Sequence, residues 1–166
     1  LPDLRAEINE AERLTGIKVL MGMESNLISL DGDTDMKRED LQYFDIYLCG
    51  IHEVLKYRRL SDMYNIMLKN YCAYKLGKKP SEKVVECTTK AYVNAIKNNP
   101  IDILTHINYK CYCNLSEVAK CCADYGTYIE INTKKRHVSA EELNLMASTG
   151  VRFVIDSDAH SADRVG

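Results

Sequence analysis

The sequence predicts an α/β fold with about five parallel strands, arranged as in an α/β barrel. Two observations support this class. Short apolar runs alternate with segments of helical periodicity, the pattern of parallel strands connected by helices. The apolar runs also lack the alternation of a half-exposed strand, which favours burial on both faces of the sheet. The predicted strands cover residues 17–23, 45–51, 101–105, 127–131 and 151–157.

Two helices are expected in the first part of the chain. Apolar residues at helical spacing indicate a helix over residues 2–15, with Pro2 near its start and Gly16 at its end. The turn signal Asp31-Gly32 then precedes a short helix over residues 37–42. These helices flank the first predicted strand.

Two amphipathic helices fill the interval between the second and third predicted strands. Apolar side chains recur at helical spacing over residues 60–71, and Gly77 ends this helix. Pro80-Ser81 begins the second helix, whose apolar face runs over residues 84–96. Both helices therefore have one face suited to packing on the sheet.

Two capping signals mark the remaining helices. Asn114 and Glu117 have the spacing of a capping box, ahead of a helix over residues 115–125. Ser139 and Glu142 have the same spacing ahead of the last helix. The second half of the chain thus continues the strand–helix alternation.

Polar side chains stand at the ends of all five predicted strands. They are Glu24, His52, His106, Asn132, Asp158 and His160, and they include three of the four histidines. Each alone has an ordinary explanation, such as a core histidine or a helix-capping aspartate. Together they predict a metal site, because the carboxyl ends of parallel strands converge in a barrel. Imidazole and carboxylate ligands without thiolates suit zinc, manganese or iron.

The composition indicates an ordinary globular protein. The net charge of −2 and the pI near 6.1 give no basic field for nucleic acid, and no run of about 18 apolar residues suits a membrane. Seven cysteines at irregular positions are interpreted as free thiols of a reducing cytoplasm. The alternative is a zinc cluster of Cys111, Cys113 and His106, although Cys-x-Cys lacks the usual two-residue spacer.

Five motifs, in this order, resemble the PHP (polymerase and histidinol phosphatase) family in its stand-alone phosphoesterase branch. They are Gly22-Met-Glu24-Ser-Asn26, Gly50-Ile-His52-Glu53, Ile103-Leu-Thr-His106, Ile129-Glu-Ile-Asn132 and Asp156-Ser-Asp-Ala-His160. The closing motif, followed by Arg164-Val-Gly166, is the most specific. The resemblance implies a distorted seven-stranded (β/α) TIM-like barrel with three divalent metals at its C-terminal mouth.

The resemblance also implies site roles. Glu24 would bridge two metals, and His52 and His106 would complete the coordination of one of them. Asp158 would bind the other metal of this pair, and His160 would bind the third. Glu24 and Asp158 would then be the catalytic carboxylates.

The implied reaction is hydrolysis of phosphate monoesters, because paired ions can orient a phosphate and neutralise the leaving oxygen. Asn132 matches a position at the pocket rim of the family, and Arg164 is either a phosphate contact or a surface ion pair. The partner would be a small phosphorylated substrate. The sequence does not reveal the oligomeric state.

The opening His-x-His motif of the family and two further histidines have no counterpart in the chain. Residues 1–166 are therefore interpreted as a single domain, truncated at the N-terminus, that holds strands three to seven of an incomplete barrel. Only the ion at Glu24, His52 and His106 would keep its full ligand set. Two interpretations remain open: a metal-dependent phosphoesterase, or a non-catalytic, truncated or degenerate metal-binding fragment.

Three further polar features have no assigned ligand role. Glu53 either supports His52 or is exposed. The basic run over residues 134–136 is a surface loop or attracts phosphate. His137, next to that run, is expected to be solvated.

Overall fold

The computed structural model describes residues 2–52, 56–134 and 137–165. Its centre is a five-stranded sheet in which every strand pair is parallel and spatial order follows chain order. The strands are β1 Gly22–Asn26, β2 Ile46–Gly50, β3 Ile103–Leu104, β4 Tyr128–Asn132 and β5 Phe153–Asp156. The predicted α/β class with five parallel strands is confirmed. Glu53, Lys135, Arg136 and Gly166 lie outside the described residues.

One helix precedes β1, and the others lie in the connections between strands. They are α1 Pro2–Thr15, α2 Leu60–Asp62, α3 Lys69–Lys75, α4 Glu82–Asn98, α5 Leu115–Tyr125 and α6 Ala140–Ala147. A π-helical segment, Met63–Leu68, joins α2 to α3, and short 3-10 helices cover Arg38–Tyr43 and Ala162–Arg164. Over the described ranges, no helix has both the length and the apolar character needed to cross a bilayer.

Side chains cap two of these helices as the sequence predicts. The Asn114 side chain accepts a hydrogen bond from the backbone N–H of Glu117. Ser139 accepts from the N–H of Glu142, whose carboxylate in turn accepts from the N–H of Ser139. Helix α6 therefore begins with a complete capping box.

The hydrophobic core lies between the sheet and the long helices. Helix α4 packs against α5 and the π-helical segment, and α5 packs against α6 and β4. The largest fully buried apolar side chains include Tyr92, Ile96, Leu104, Val118, Ile129 and Met146. The middle of the sheet is well covered, whereas the edge strands β1 and β5 keep exposed side chains such as Met23 and Ile155. The expected burial on both faces is thus confirmed for the central strands and wrong for the edge strands β1 and β5.

The first strand differs from its predicted bounds of 17–23. Pairing with β2 begins only at Gly22. Just before it, the N–H of Asp45 donates to the backbone oxygen of Met21, and the N–H of Met21 donates to the side-chain carboxylate of Asp45. The preceding residues 17–20, apolar except for Lys18, are exposed and outside any strand. The strand predicted from this apolar run therefore begins several residues too early, and Glu24 lies within β1 instead of beyond it.

Candidate metal centre

Three neighbouring strands bring Glu24, His52 and His106 together. Glu24 lies in the middle of β1, His52 follows β2 by two residues, and His106 follows β3 by two. In the sheet, Glu24 pairs with Leu48 of β2, and the side chains of Glu24, His52 and His106 lie at the same end of the strands. This is the carboxyl end of the sheet, where functional residues of barrel enzymes lie.

The three side chains direct their donor atoms toward one position. Oε1 of Glu24 lies 3.4 Å from Nε2 of His52 and 3.2 Å from Nε2 of His106. The two Nε2 atoms are 3.1 Å apart, with the imidazole rings nearly perpendicular at 83°. One donor atom from each residue lies within 4.8 Å of the others. Two imidazoles and a carboxylate at these separations fit a divalent metal ion.

Asn26 orients the first imidazole. Its Oδ1 lies 2.6 Å from Nδ1 of His52, and its amide donates to the carboxylate of Asp35. Because Asn26 Oδ1 can only accept, Nδ1 of His52 carries a proton, and Nε2 is the ring nitrogen that faces Glu24. Fixing the tautomer in this way is the usual support for a metal-ligating histidine.

The site favours a charged Glu24. Burial alone would raise the pKa of Glu24, but hydrogen bonds from His106, His52 and Thr105 outweigh burial and lower the pKa well below its usual value. The hydroxyl of Thr105 donates to Oε1 at 2.7 Å. The hydrogen-bonded Glu24 carboxylate in turn raises the pKa of His52, against the opposing effect of burial. The pocket is therefore organised around a negative charge that attracts cations.

The backbone around His106 is specialised. His106 has a φ of 30°, in the left-handed region that a non-glycine residue rarely adopts, and its N–H donates to the carboxylate of Glu130. Its Nδ1 is buried with no partner in the described part of the chain. A side chain on Gly50 would lie 2.7 Å from Cε1 of His106 and 2.3 Å from Oγ1 of Thr105. Only glycine leaves room for the imidazole there.

Asp158 and His160 form a second group at the same pocket, held by a lysine. The ammonium of Lys134 lies 3.0 Å from Oδ2 of Asp158 and 3.1 Å from Nδ1 of His160. Asp158 has a φ of 43°, so it shares the left-handed backbone of His106. Neither side chain directly contacts the Glu24 group in the described part of the chain.

A cavity of about 340 Å³ connects the two groups. Residues from all five strand ends line it, including all five predicted ligands, namely Glu24, His52, His106, Asp158 and His160. A larger cavity of about 640 Å³ lies between α4, α5 and α6 and is lined by none of these five. The smaller cavity is therefore the candidate site.

The two predicted substrate contacts have different positions. Asn132 lines the cavity, and its side chain donates to Glu130 and accepts from the backbone of Lys134. Arg164 is exposed in the last 3-10 helix and is absent from the described lining. His137 was expected to be solvated, but it lines the cavity with its ring 4.5 Å from that of Tyr109.

Glu130 is a site residue that the sequence interpretation missed. It is buried, although it stands in the middle of the apolar strand β4. Burial raises the pKa of Glu130 to about 7; the His106 N–H opposes this effect, and the hydrogen-bonded Asp156 reinforces it. The available signal was a charged residue between two isoleucines, since such a residue is rarely buried without a role.

The cysteines do not form the alternative zinc cluster. Within the described ranges, only Glu24, His52 and His106 form a group of three or more ligand-type side chains close enough to share an ion. Cys111 and Cys113 are buried free thiols, and burial raises their pKa, to about 12 for Cys111. They behave as small apolar residues of the core.

The chain is similar in sequence to proteins named probable phosphatases. No family model matches the chain. The chain is 30% identical over 164 residues to a protein named probable phosphatase from Thermoanaerobacter sp. (strain X514), covering 93% of this chain and 58% of that protein. It is 30% identical over 160 residues to a probable phosphatase from Shewanella sp. (strain ANA-3), covering 91% and 54%. The chain thus spans about half the length of these curated relatives.

The fold is similar to that of a solved phosphatase. The crystal structure of histidinol phosphate phosphatase from Lactococcus lactis, complexed with zinc, L-histidinol and phosphate, matches with a TM-score of 0.63. The match covers 96% of this chain and 66% of that protein at 18% sequence identity. At this identity the likeness establishes a shared α/β architecture.

Proposed function

We propose that this chain forms the larger part of a metal-dependent phosphatase that hydrolyses phosphate monoesters at a site for more than one ion. The observation that carries the proposal is the convergence of Glu24, His52 and His106 within 4.8 Å at the carboxyl end of parallel strands. The similarity to proteins named probable phosphatase supports the reaction class. The free thiols are consistent with a cytoplasmic location.

The proposed ligands divide between two halves of the pocket. Glu24, His52 and His106 would hold one ion, and Asp158 and His160 would contribute to sites for further ions. Nitrogen and oxygen donors of this kind suit zinc, manganese or iron. When bound, such ions would polarise the phosphoryl group as Lewis acids and neutralise charge on the leaving oxygen.

The residues of the chain bind and orient the substrate. Lys110 and Lys134 line the cavity and provide positive charge for a phosphate dianion. Glu24 and Asp158 are the carboxylates proposed to face the reacting group, and Asn132 is proposed to contact the substrate at the rim. The cavity volume of about 340 Å³ suits a small phosphorylated molecule. Arg164 would contact phosphate only after a movement of the last 3-10 helix.

Replacing Glu24 tests the first ion site. Glu24→Gln keeps the shape of the side chain but removes its negative charge. We therefore expect the tightest Mn²⁺ dissociation constant to rise at least tenfold. Loss of groups that support metal ligands lowers metal affinity by about this factor. Electron paramagnetic resonance of free Mn²⁺ measures this constant. The control Glu10→Gln removes a carboxylate that pairs with Arg13 on α1, and it should leave the constant unchanged. Equal Mn²⁺ binding by Glu24→Gln and the unsubstituted chain would contradict the proposal.

Turnover needs the ligands that this chain lacks by comparison with the PHP family. A polypeptide that also supplies them should hydrolyse phosphomonoesters, lose activity to chelators and regain it with manganese, iron or zinc. In that polypeptide, Glu24→Gln should lower kcat more than it raises KM, because the lost charge acts on the transition state. The 166-residue chain alone should bind Mn²⁺ with little turnover. Absence of turnover from the longer polypeptide would favour the non-catalytic alternative.

A further inference from the structure

The side chain of Lys134 occupies a position that resembles a cation site. Two oxygens of Asp158 accept from its Nζ, Oδ2 at 3.0 Å and the backbone oxygen at 3.4 Å, and Nδ1 of His160 lies 3.1 Å away. Nδ1 of His160 also lies 2.8 Å from the backbone oxygen of Asp158, which can only accept, so Nδ1 donates there and Nε2 is the nitrogen that can bind an ion. A carboxylate, an imidazole nitrogen and a carbonyl oxygen are all common ligands of divalent ions.

The surrounding backbone holds this arrangement in place. Oδ1 of Asn132 accepts from the N–H of Lys134, which fixes the turn that follows β4. On the opposite side, Asp156 accepts from the N–H of Asp158, which keeps a left-handed φ of 43°. Lys134 retains 32% side-chain exposure and lines the same cavity as the Glu24 group. Its ammonium therefore has open space into which it can withdraw.

We propose that Lys134 is an internal competitor for the second ion of the site. This inference rests on the proposed function, in which Asp158 and His160 are metal ligands. An ammonium and a divalent ion cannot share the oxygens of Asp158, because both need the same lone pairs and their charges repel. An ion at Asp158 must first displace Lys134, whereas the Glu24 group has no such occupant in the described part of the chain. The two halves of the pocket thus fill in order.

After its displacement from Asp158, Lys134 can contact a phosphate group. Once it leaves Asp158 and His160, the ammonium remains tethered after β4 at the wall of the cavity. There it is free to donate to a phosphate oxygen, since lysine binds phosphate as a point charge. Lys134 thereby couples occupation of the second ion site to phosphate binding, and it acts as a positioning residue.

Binding of Mn²⁺ to the metal-free chain tests the competition. We expect Lys134→Gln to lower the second, weaker Mn²⁺ dissociation constant about fivefold, the size of effect expected for a half-exposed ion pair. Lys134→Arg keeps the positive charge and should leave this constant near that of the unsubstituted chain. Lys120→Gln is the matched control, since Lys120 pairs with Asp124 on α5, outside the cavity lining. Free Mn²⁺ is again measured by electron paramagnetic resonance.

The outcomes separate this inference from the proposed function. Tighter second-site binding in Lys134→Gln, with the first site unchanged, supports the inference. An unchanged or weaker second site in Lys134→Gln overturns it, provided that Glu24→Gln still weakens the first site. If Glu24→Gln binds Mn²⁺ like the unsubstituted chain, the proposed function itself fails. Equal tightening by Lys120→Gln would show a general charge effect and would also overturn the inference.

Discussion

Gly50 determines whether His106 can reach the centre of the site. It ends β2 opposite the loop that carries His106, with no positive φ that would itself require glycine. The requirement comes from space, since a Cβ there would meet Thr105 and His106 at 2.3–2.7 Å. Both of these residues contact Glu24, so any displacement would spread to the whole group.

Gly50→Ala should therefore impair metal binding more than folding. We expect the tightest Mn²⁺ dissociation constant to rise about tenfold or more, because displaced ligands lose the geometry that the ion needs. The control Gly77→Ala lies in open space at a φ of 64°, so it should cost about 1 kcal/mol of stability and leave Mn²⁺ binding intact. Mn²⁺ titration and urea unfolding of both variants make the comparison. Normal binding by Gly50→Ala would show that the imidazole can shift freely.

Glu130 makes the stability of the metal-free protein depend on pH. Because burial raises its pKa from 4.5 to about 7, the folded protein binds a proton more tightly than the unfolded chain. Its contribution is therefore fully present below pH 4.5 and is lost as the pH rises through 7. This direction is opposite to that of an ion-paired carboxylate such as Asp33, whose pKa is lowered by Ser29 and Arg58.

Replacement by glutamine should remove this dependence, because the amide imitates the protonated acid. Relative to the unsubstituted protein, we expect Glu130→Gln to gain about 2 kcal/mol in unfolding free energy between pH 4.5 and 7, since each tenfold change in proton affinity is worth about 1.4 kcal/mol. Urea unfolding in the presence of a chelator measures the difference. Glu7→Gln, on the exposed surface of α1, should show no such trend. A difference that does not vary with pH would contradict the assignment.

At the scale of elements, the start of α6 is connected to the loop that carries His106. The capping residue Glu142 accepts from the backbone N–H of Ser139 and from the side chain of Asn108, 3.3 Å away. Asn108 has a φ of 69° and accepts from the N–H of Cys113. One helix end therefore fixes the loop between β3 and α5.

Removal of the cap should destabilise this region. Ser139→Ala leaves the N–H of Glu142 without its partner, so we expect the unfolding free energy to fall by about 1 kcal/mol. Ser148→Ala is the matched control at the other end of α6, where the hydroxyl only bonds the carbonyl of Leu145. Its effect should be smaller in the same urea titration. Equal losses would show that the cap adds nothing specific.

For the whole molecule, the alternation of apolar runs and helices was enough to predict the sheet and its parallel order. Strand positions were less predictable, because hydropathy records burial and not pairing. The run 17–23 is apolar, yet only its last two residues belong to β1. Ile17, Val19 and Leu20 are exposed instead, as are Leu4 and Leu14 of α1.

The residues of the candidate site were likewise predictable only in part. Residues with distinctive chemistry at strand ends, such as His52 and His106, could be selected from the sequence. Gly50 and Thr105 could not, because their importance comes from the space and hydrogen bonds around Glu24. Lys134 was recognised only as part of a basic run. Its contacts depend on how β4 and β5 lie side by side.

The order of the strands also bears on how the protein is made. Each strand after β1 pairs with the strand that precedes it in the chain, so no pairing has to span an intervening strand. Closure of short loops costs less entropy than closure of long ones, and local pairing favours fast folding. The sheet can therefore grow strand by strand during synthesis. Because Glu24 lies in β1 and His52 and His106 closely follow β2 and β3, they can meet before the loop that carries Asp158 has left the ribosome.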